Sequence, residues 1–472
     1  YTISKNYVTV AVDTDTAYLT DPVTGDAVID VDYTNAPVKG QLKIYKQGEV
    51  LKGFEKDFQY EMTGLAGAEF EVYAAEDIYT ADHQVDADGQ RTLYFAKDAL
   101  VATVTTDADG YATVKNLPLG RYYVKEKNAP DTYVLNTVPE NVEFTYADQD
   151  TAVIEKEISV TDERQKVSIT VEKQDAETGN AAQGDATLEG AVYGLYARED
   201  IVHPDGRTGT IHKKDSLITS LTTDKNGEAS VSDLYLGKYY LKELSAPVGY
   251  VLDPTEHDVD CTYEGATVPT VERTSVCKET VIKQPFQIIK AANNGKTDAD
   301  LLQGVGFSAW LVSDLKVKAD GSYDFDSARP VVLTADGQTE MFTDEKGYAR
   351  SIPLPYGTYV VRETTSKHNY APVDDFVVKI TENYPDTPQT WRVLLDKEFK
   401  AKLKIIKKDA ETQKSVLLAN TEFKVYDLDN QKYVEQTTSY PKPTVHKSYF
   451  TNEEGYLVLP KNLKPGNYRI EE

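Results

Sequence analysis

One short segment is written four times along this chain, and it constrains the fold more than any other feature. It reads Gly120-Arg-Tyr-Tyr-Val-Lys-Glu126, Gly237-Lys-Tyr-Tyr-Leu-Lys-Glu243, Gly357-Thr-Tyr-Val-Val-Arg-Glu363 and Gly466-Asn-Tyr-Arg-Ile-Glu-Glu472. Side chains of a strand alternate between its two faces, so Tyr122, Val124 and Glu126 point the same way. Each glutamate therefore ends an apolar, inward-facing row. Acidic groups are almost never buried without a partner, so a partner must recur with them.

Three further elements recur around each copy in fixed order. A lysine strand comes first: Leu42-Lys-Ile-Tyr-Lys46, Ile169-Thr-Val-Glu-Lys173, Phe286-Gln-Ile-Ile-Lys290 and Leu403-Lys-Ile-Ile-Lys407. A small-residue turn into an aromatic strand follows, as in Leu65-Ala-Gly-Ala-Glu-Phe70 and Leu302-Gln-Gly-Val-Gly-Phe307. The third element is a turn, as in Thr106-Asp-Ala-Asp-Gly110 and Thr343-Asp-Glu-Lys-Gly347. The lysines lie 127, 117 and 117 residues apart, a period that fits a β-sandwich domain and not a solenoid unit. The spacing predicts an all-β chain of tandem antiparallel, Ig-like β-sandwich domains. Residues 1–39 read as closing strands of a preceding repeat. Repeats then occupy 40–164, 165–280, 281–398 and 399–472, the last stopping before its final strand. The extra length of the first repeat reads as a loop insertion, Phe54 to Thr63. Asp82–Gln90 and Asp200–Lys214 read as long exposed loops.

Composition narrows the function. The 472 residues carry 51 Lys and Arg against 77 Asp and Glu, a net charge of −26 that opposes nucleic-acid binding and anionic membrane surfaces. The 33 tyrosines favour β structure. No apolar run is long enough to span a membrane. Six histidines (83, 203, 212, 257, 368 and 446) form no metal-ligand spacing with the cysteines, and no phosphate loop is present, so neither metal nor cofactor is expected. Asp86-Ala-Asp88-Gly89 and Asp107-Ala-Asp109-Gly110 are too short for calcium loops and read as turns.

The lysines share strand parity with apolar neighbours, so each domain buries one lysine and one glutamate. A third group emerges on counting back. Asn35 precedes Lys46 by 11, Asp162 precedes Lys173 by 11, and Asp396 precedes Lys407 by 11, each ending an alternating strand. A domain then owns a first-strand Lys, a later Glu and a last-strand Asp or Asn. The plain alternative is a repeated buried ion pair, or lysines that snorkel outward at a strand end. The sharper reading is chemical, because burial favours the neutral form of every such group. A neutral amine beside a carboxyl or carboxamide carbon can attack it to form an isopeptide bond, with the Glu as general acid and base. Proximity supplies most of the rate, effective molarities of roughly 10⁵ M being available to oriented groups.

These motifs resemble the SpaA-like, prealbumin-like (Cna-B-type) domains of Gram-positive pilins and surface adhesins. The resemblance rests on Lys-x-Asp (Lys173-Gln-Asp175, Lys407-Lys-Asp409), Leu-x-Gly-Ala-x-Phe, Thr-Asp-x-x-Gly, Gly-x-Tyr-x-Val-x-Glu and a trailing Ala-Pro-x-x-Tyr (Ala129 to Tyr133, Ala246 to Tyr250), and it covers essentially the whole chain. It implies isopeptide bonds Lys46–Asp162 with Glu126 as catalyst, and Lys290–Asp396 with Glu363. It also implies an extracellular, cell-wall-anchored stalk whose anchor lies outside this chain, and no turnover enzyme. A host-surface protein or glycan bound through the long loops is the alternative function. Tyr440-Pro441-Lys442 resembles the pilin motif whose lysine a sortase joins to the next subunit. It lacks the following Asn and sits inside a repeat, so coincidence is the preferred reading, and a sortase partner belongs to the full-length protein.

The repeats differ in completeness. Glu279 stands 11 residues before Lys290, leaving Lys173 and Glu243 without an Asp or Asn acceptor, so no isopeptide is expected in the second repeat. That repeat holds the only cysteines, Cys261 and Cys277, which read either as a disulfide staple or as two buried thiols. Asn35 has no lysine in this chain, and Lys407 and Glu472 have no acceptor.

Overall fold

The computed structural model describes residues 1–4, 7–54, 58–206, 208–293 and 300–472. Compactness divides the chain into two units. The first comprises residues 1–173, 189–245 and 252–277; the second comprises residues 174–188, 246–251 and 278–472. Apart from two short 3-10 turns, the regular structure of the described residues is β.

In the first repeat the lysine strand, Lys39–Phe54, pairs with the closing strand Val153–Asp162, with Tyr111–Leu117 and with Phe58–Gly64. The facing sheet runs Glu140–Phe144, Gly120–Asn128, Glu69–Ala74 and Leu100–Thr105. Alternation places Leu42, Ile44, Phe70, Val72, Tyr122, Val124, Phe144 and Val160 in one core between the sheets. The second repeat follows the same plan, with Glu228–Leu234, Lys166–Asp175 and Thr270–Glu279 in one sheet. Its other sheet runs Leu217–Thr222, Val192–Ala197, Gly237–Ser245 and Glu256–Cys261. The third repeat has Gln287–Asn293 beside the closing strand Arg392–Glu398, and a facing sheet of Glu340–Phe342, Gly306–Leu311, Gly357–Thr365 and Phe376–Ile380. In the fourth, Glu422–Asp427 pairs Tyr468–Glu471, and a smaller core gathers around Phe423, Val425, Tyr449, Leu457 and Leu459.

One pairing departs from the antiparallel expectation. The closing strand runs parallel to the lysine strand, with Val160 opposite Lys46 and Leu394 opposite Lys290. Parallel neighbours require a crossover, and here the chain returns from the facing sheet to supply it.

The motifs explain themselves as hydrogen bonds. The Thr106 hydroxyl donates to Leu65 O at 2.8 Å and accepts from the Ala68 N–H at 3.0 Å, tying the turn to the start of the aromatic strand. Thr343 and Thr451 repeat both bonds, with Leu302 and Val305 and with Leu418 and Thr421. The turn glycine accepts the lysine's own N–H, Lys46 to Gly110 O at 2.8 Å and Lys290 to Gly347 O at 2.7 Å. At Gly110 φ is +84°, and an added Cβ would stand 2.5 Å from Lys46 O, so only glycine fits. The tyrosine of the Gly-x-Tyr segment donates to the carbonyl four residues upstream: Tyr122 to Pro118 O, Tyr359 to Pro355 O and Tyr468 to Lys464 O. These are tyrosine corners that fix where the glutamate strand begins.

Three expectations need correction. The strand through Ile29, Val31 and Tyr33 to Asn35 is not formed; Asn35 is exposed, and the pairing found in this segment is the short ladder of Leu19–Thr20 with Ala27–Val28. A strand needs a neighbour for its backbone groups, and this chain supplies no lysine strand to it. The insertion after Lys46 is a β-hairpin, Phe58–Gly64 folding back on Lys39–Phe54; its residues 55–57 lie outside the described residues. Asp82–Gln90 is exposed as expected, but Asp200–Lys214 is not a free loop. It holds the ladder Ile201–Val202 with Thr210–His212, and its His203 is buried, stacked on Tyr60 of the hairpin and with Nε2 3.7 Å from Glu49. Arg164, from the linker between these two repeats, is likewise buried and binds Glu49 at 2.9 Å, Asp233 Oδ1 at 2.7 Å and Leu234 O at 2.9 Å.

Thr106→Val removes both hydroxyl bonds while keeping the side-chain shape, and should lower stability by about 1–3 kcal/mol. Thermal unfolding of the variant checks this, and an unchanged transition would show that the turn does not anchor the sandwich.

Candidate functional site

In the first repeat the Lys46 side chain is fully buried and reaches across the core from one sheet to the other. Its Nζ stands 2.7 Å from Glu126 Oε1 and against Asp162 Oδ1, both carboxylate side chains being fully buried. Register explains the meeting. Lys46 lies opposite Val160, so the next inward residue of the parallel closing strand is Asp162; Glu126 lies opposite Phe70 on the facing sheet. The Phe70 ring lies beneath the amine, its centroid 5.7 Å from Nζ.

The third repeat builds the same constellation. Lys290 Nζ donates to Glu363 Oε2 at 2.7 Å and to Asp396 Oδ1, with all three side chains fully buried. Phe307 stands opposite Glu363, and its ring centroid is 5.6 Å from Nζ.

The electrostatics single out the aspartates. Burial pushes the Asp162 carboxyl up to about 7, against the pull of Lys46 and with the help of Glu126. Burial likewise pushes Asp396 up to about 6, against Lys290. Desolvation penalises the charged carboxylate more than the neighbouring ammonium repays it. Hydrogen bonding at the first site is also incomplete. Among the described residues no further protein donor reaches Asp162 Oδ2. A carboxyl oxygen is left over in the third repeat as well, Asp396 Oδ2.

A backbone group holds the glutamate in each of the first three repeats. The N–H ten residues downstream donates to the carboxylate: Asn136 to Glu126 at 2.8 Å, Asp253 to Glu243 at 2.8 Å and Val373 to Glu363 at 3.2 Å. Sequence reasoning missed these donors because an amide carries no side-chain signal. It also missed Phe70 and Phe307 as the apolar floor of the site, although their fixed place in the second motif was visible.

The remaining candidates divide. Lys173, Glu243 and Glu279 are all buried. Lys407 and Glu472 do meet, at 2.5 Å, but in partial exposure, with side chains 25% and 54% accessible. Cys261 and Cys277 are two buried thiols of one core cluster and not a disulfide; they enter that cluster from facing sheets as small hydrophobes. Among the described residues no group of His, Cys, Asp and Glu could hold a metal ion, and no helix is long and apolar enough to cross a membrane. Tyr440-Pro441-Lys442 is exposed between the paired strands Gln436–Thr438 and Thr444–His446.

Comparison with known proteins decides the family. Residues 53–162, 167–274, 286–392 and 401–472 each match the SpaA family, described as a prealbumin-like fold domain. The chain belongs to the SpaA prealbumin-like family. Among curated proteins, this SpaA chain is 30% identical over 121 residues to the Trypsin-resistant surface T6 protein of Streptococcus pyogenes serotype M6, covering 26% of the chain and 19% of that protein. Among solved structures, the Bacillus anthracis TIE protein matches at 22% identity and a TM-score of 0.44, over 76% of this chain and 51% of that one. BcpA, the major pilin subunit of Bacillus cereus, matches at 14% identity and a TM-score of 0.27, over 76% and 100% of the two chains. The chain thus spans about a fifth of the curated relative it matches and about half of the TIE structure.

The raised Asp162 has a consequence for stability while the site is unbonded. A folded-state value near 7 against an ordinary 3.8 means that the folded protein binds this proton more tightly, so stability is lost as pH rises from about 4 to about 7. With Glu126→Gln blocking any crosslink, Glu126→Gln/Asp162→Asn should melt increasingly above Glu126→Gln over that window. A difference that stays flat or shrinks overturns the assignment.

Proposed function

We propose that this SpaA chain is the stalk region of a bacterial cell-wall-anchored surface protein, adhesin or pilin, whose first and third repeats are closed by autocatalytic Lys46–Asp162 and Lys290–Asp396 isopeptide bonds. The observation that carries the reading is the fully buried lysine held between two buried carboxyls, one of them an aspartate raised toward neutrality.

The chemistry runs once per domain. Proton transfer within the buried pair leaves lysine and aspartic acid in their neutral forms. The amine attacks the carboxyl carbon while protonated Glu126 or Glu363 polarises the carbonyl oxygen. The glutamate then relays a proton from nitrogen to the departing hydroxyl, so one amide forms and one water leaves. Two buried charges are exchanged for a neutral amide in an apolar core, which relieves their desolvation. The amide joins the first strand to the last, so the domain cannot be pulled open between them without breaking a covalent bond. In the second repeat Glu279 stands at the acceptor position, and that repeat stays uncrosslinked.

A ligand-binding adhesin module is the second reading. Of the loops that would carry it, Asp82–Gln90 is exposed, whereas the segment around His203 is folded against the hairpin of the first repeat. A sortase partner, a host-surface protein or glycan, and extracellular placement belong to the full-length protein on this proposal.

Intact-mass measurement and tryptic mapping should find the chain lighter by two waters, with crosslinked peptides containing Lys46 with Asp162 and Lys290 with Asp396. A full uncorrected mass overturns the proposal. Glu126→Ala should keep the fold and the Lys290–Asp396 bond but lose the first crosslink, raising the mass by one water. A Lys46–Asp162 bond that still forms would remove Glu126 from its role.

A further inference from the structure

The closing strand of the third repeat carries a surface that its counterparts lack. Counting from the acceptor position, its outward side chains Trp391, Val393 and Leu395 replace Glu157, Ser159 and Thr161 of the first repeat and Thr274, Val276 and Lys278 of the second. Trp391, Val393 and Leu395 are exposed by 57%, 61% and 46%, and Phe399 beyond them by 57%. An apolar outward row on an exposed strand is unusual and marks contact surfaces.

Charge singles out the same stretch. Residues 391–408 hold seven cationic side chains (Arg392, Lys397, Lys400, Lys402, Lys404, Lys407 and Lys408) against Asp396 and Glu398, a net +5 in a chain of net −26. The aligned stretches 157–174 and 274–291 carry three cations against four acids and three against one. Lys397, Lys402, Lys404 and Lys408 are exposed and make no ion pair among the described residues. Lys404 instead lies over the Tyr456 ring at 3.9 Å. Strands hold this segment extended on either side of residue 400, Arg392–Glu398 before it and Lys404–Ile406 after it.

We infer that residues 391–408 are a binding strip for a linear polyanion, a polymer bearing phosphate or sulfate groups along an extended backbone. The unpaired lysines take its charges, and Trp391 and Phe399 offer flat apolar contact between them. The rest of the chain, net −31, repels the same ligand and confines it to this strip. The inference is independent of the isopeptide bonds, which lie inside the domains.

The experiment uses the full chain with two probes, heparin and inorganic polyphosphate. Binding should appear at low salt and weaken steeply, with a slope of log affinity on log salt of about −3 to −4 for four released counterions. Lys397→Gln/Lys402→Gln/Lys404→Gln/Lys408→Gln should lower affinity at least tenfold. Lys213→Gln/Lys214→Gln/Lys225→Gln/Lys238→Gln, four exposed lysines of the second repeat, should leave it unchanged. Trp391→Phe should abolish the ligand-induced change in tryptophan emission, since the other tryptophan, Trp310, is buried. Preference for heparin or for polyphosphate identifies sulfated sugar or phosphate as the source. Absence of binding to both, or equal loss in the two lysine variants, overturns the inference. Melting temperatures of the variants separate loss of the strip from loss of the fold.

Discussion

A lysine ammonium with no access to water governs this architecture. Removing such a charge from solvent costs several kcal/mol even after relaxation, and one carboxylate partner does not fully repay it. Lys46 and Lys290 are nonetheless placed at the centre of their domains, each gripped from both sheets. The sandwich is arranged around that demand. The lysine strand supplies the amine, the facing sheet supplies the glutamate, and the closing strand returns in parallel to supply the aspartate. An aromatic ring from the second motif keeps water out beneath the amine. The turn glycine and threonine hold the backbone on either side of it.

The four repeats are the same scaffold with different local chemistry. The first and third complete the triad. The second keeps a buried lysine and glutamate, has Glu279 instead of an Asp or Asn eleven residues before Lys290, and packs two thiols in its core. The fourth brings Lys407 to Glu472 in partial solvent, where water screens the pair. The outer faces diverge as well, polar in the first closing strand and apolar in the third. Core-facing positions of a repeat are held by packing, whereas outward positions are free to acquire separate roles.

Much of this was legible without coordinates. Period-two alternation placed Lys46, Glu126 and Asp162 on inward faces, and counting between repeats assigned Asp162 to the same domain as Lys46, although 116 residues separate them. The errors have a common cause. Phe54–Thr63 read as a loop because strand pairing is non-local, and nothing in the segment announces that it folds back on the lysine strand. Asp200–Lys214 read as exposed because its composition is polar, yet His203 is buried by Tyr60 and Glu49, residues contributed by another repeat. Asn35 read as a strand end because alternation alone cannot show whether a neighbouring strand exists.

The amino-acid order by itself determined the repeat, the β class, the family and the identity of each inward-facing ionisable group, because side-chain direction in a strand follows parity. Tertiary structure decided which of those groups meet, in what direction the closing strand runs, and which glutamate receives a backbone donor. It also decided that the cysteines share a core without bonding and that Lys407 and Glu472 meet in water. Those outcomes depend on pairing register and on burial by distant segments, and neither quantity is a property of any local stretch of sequence.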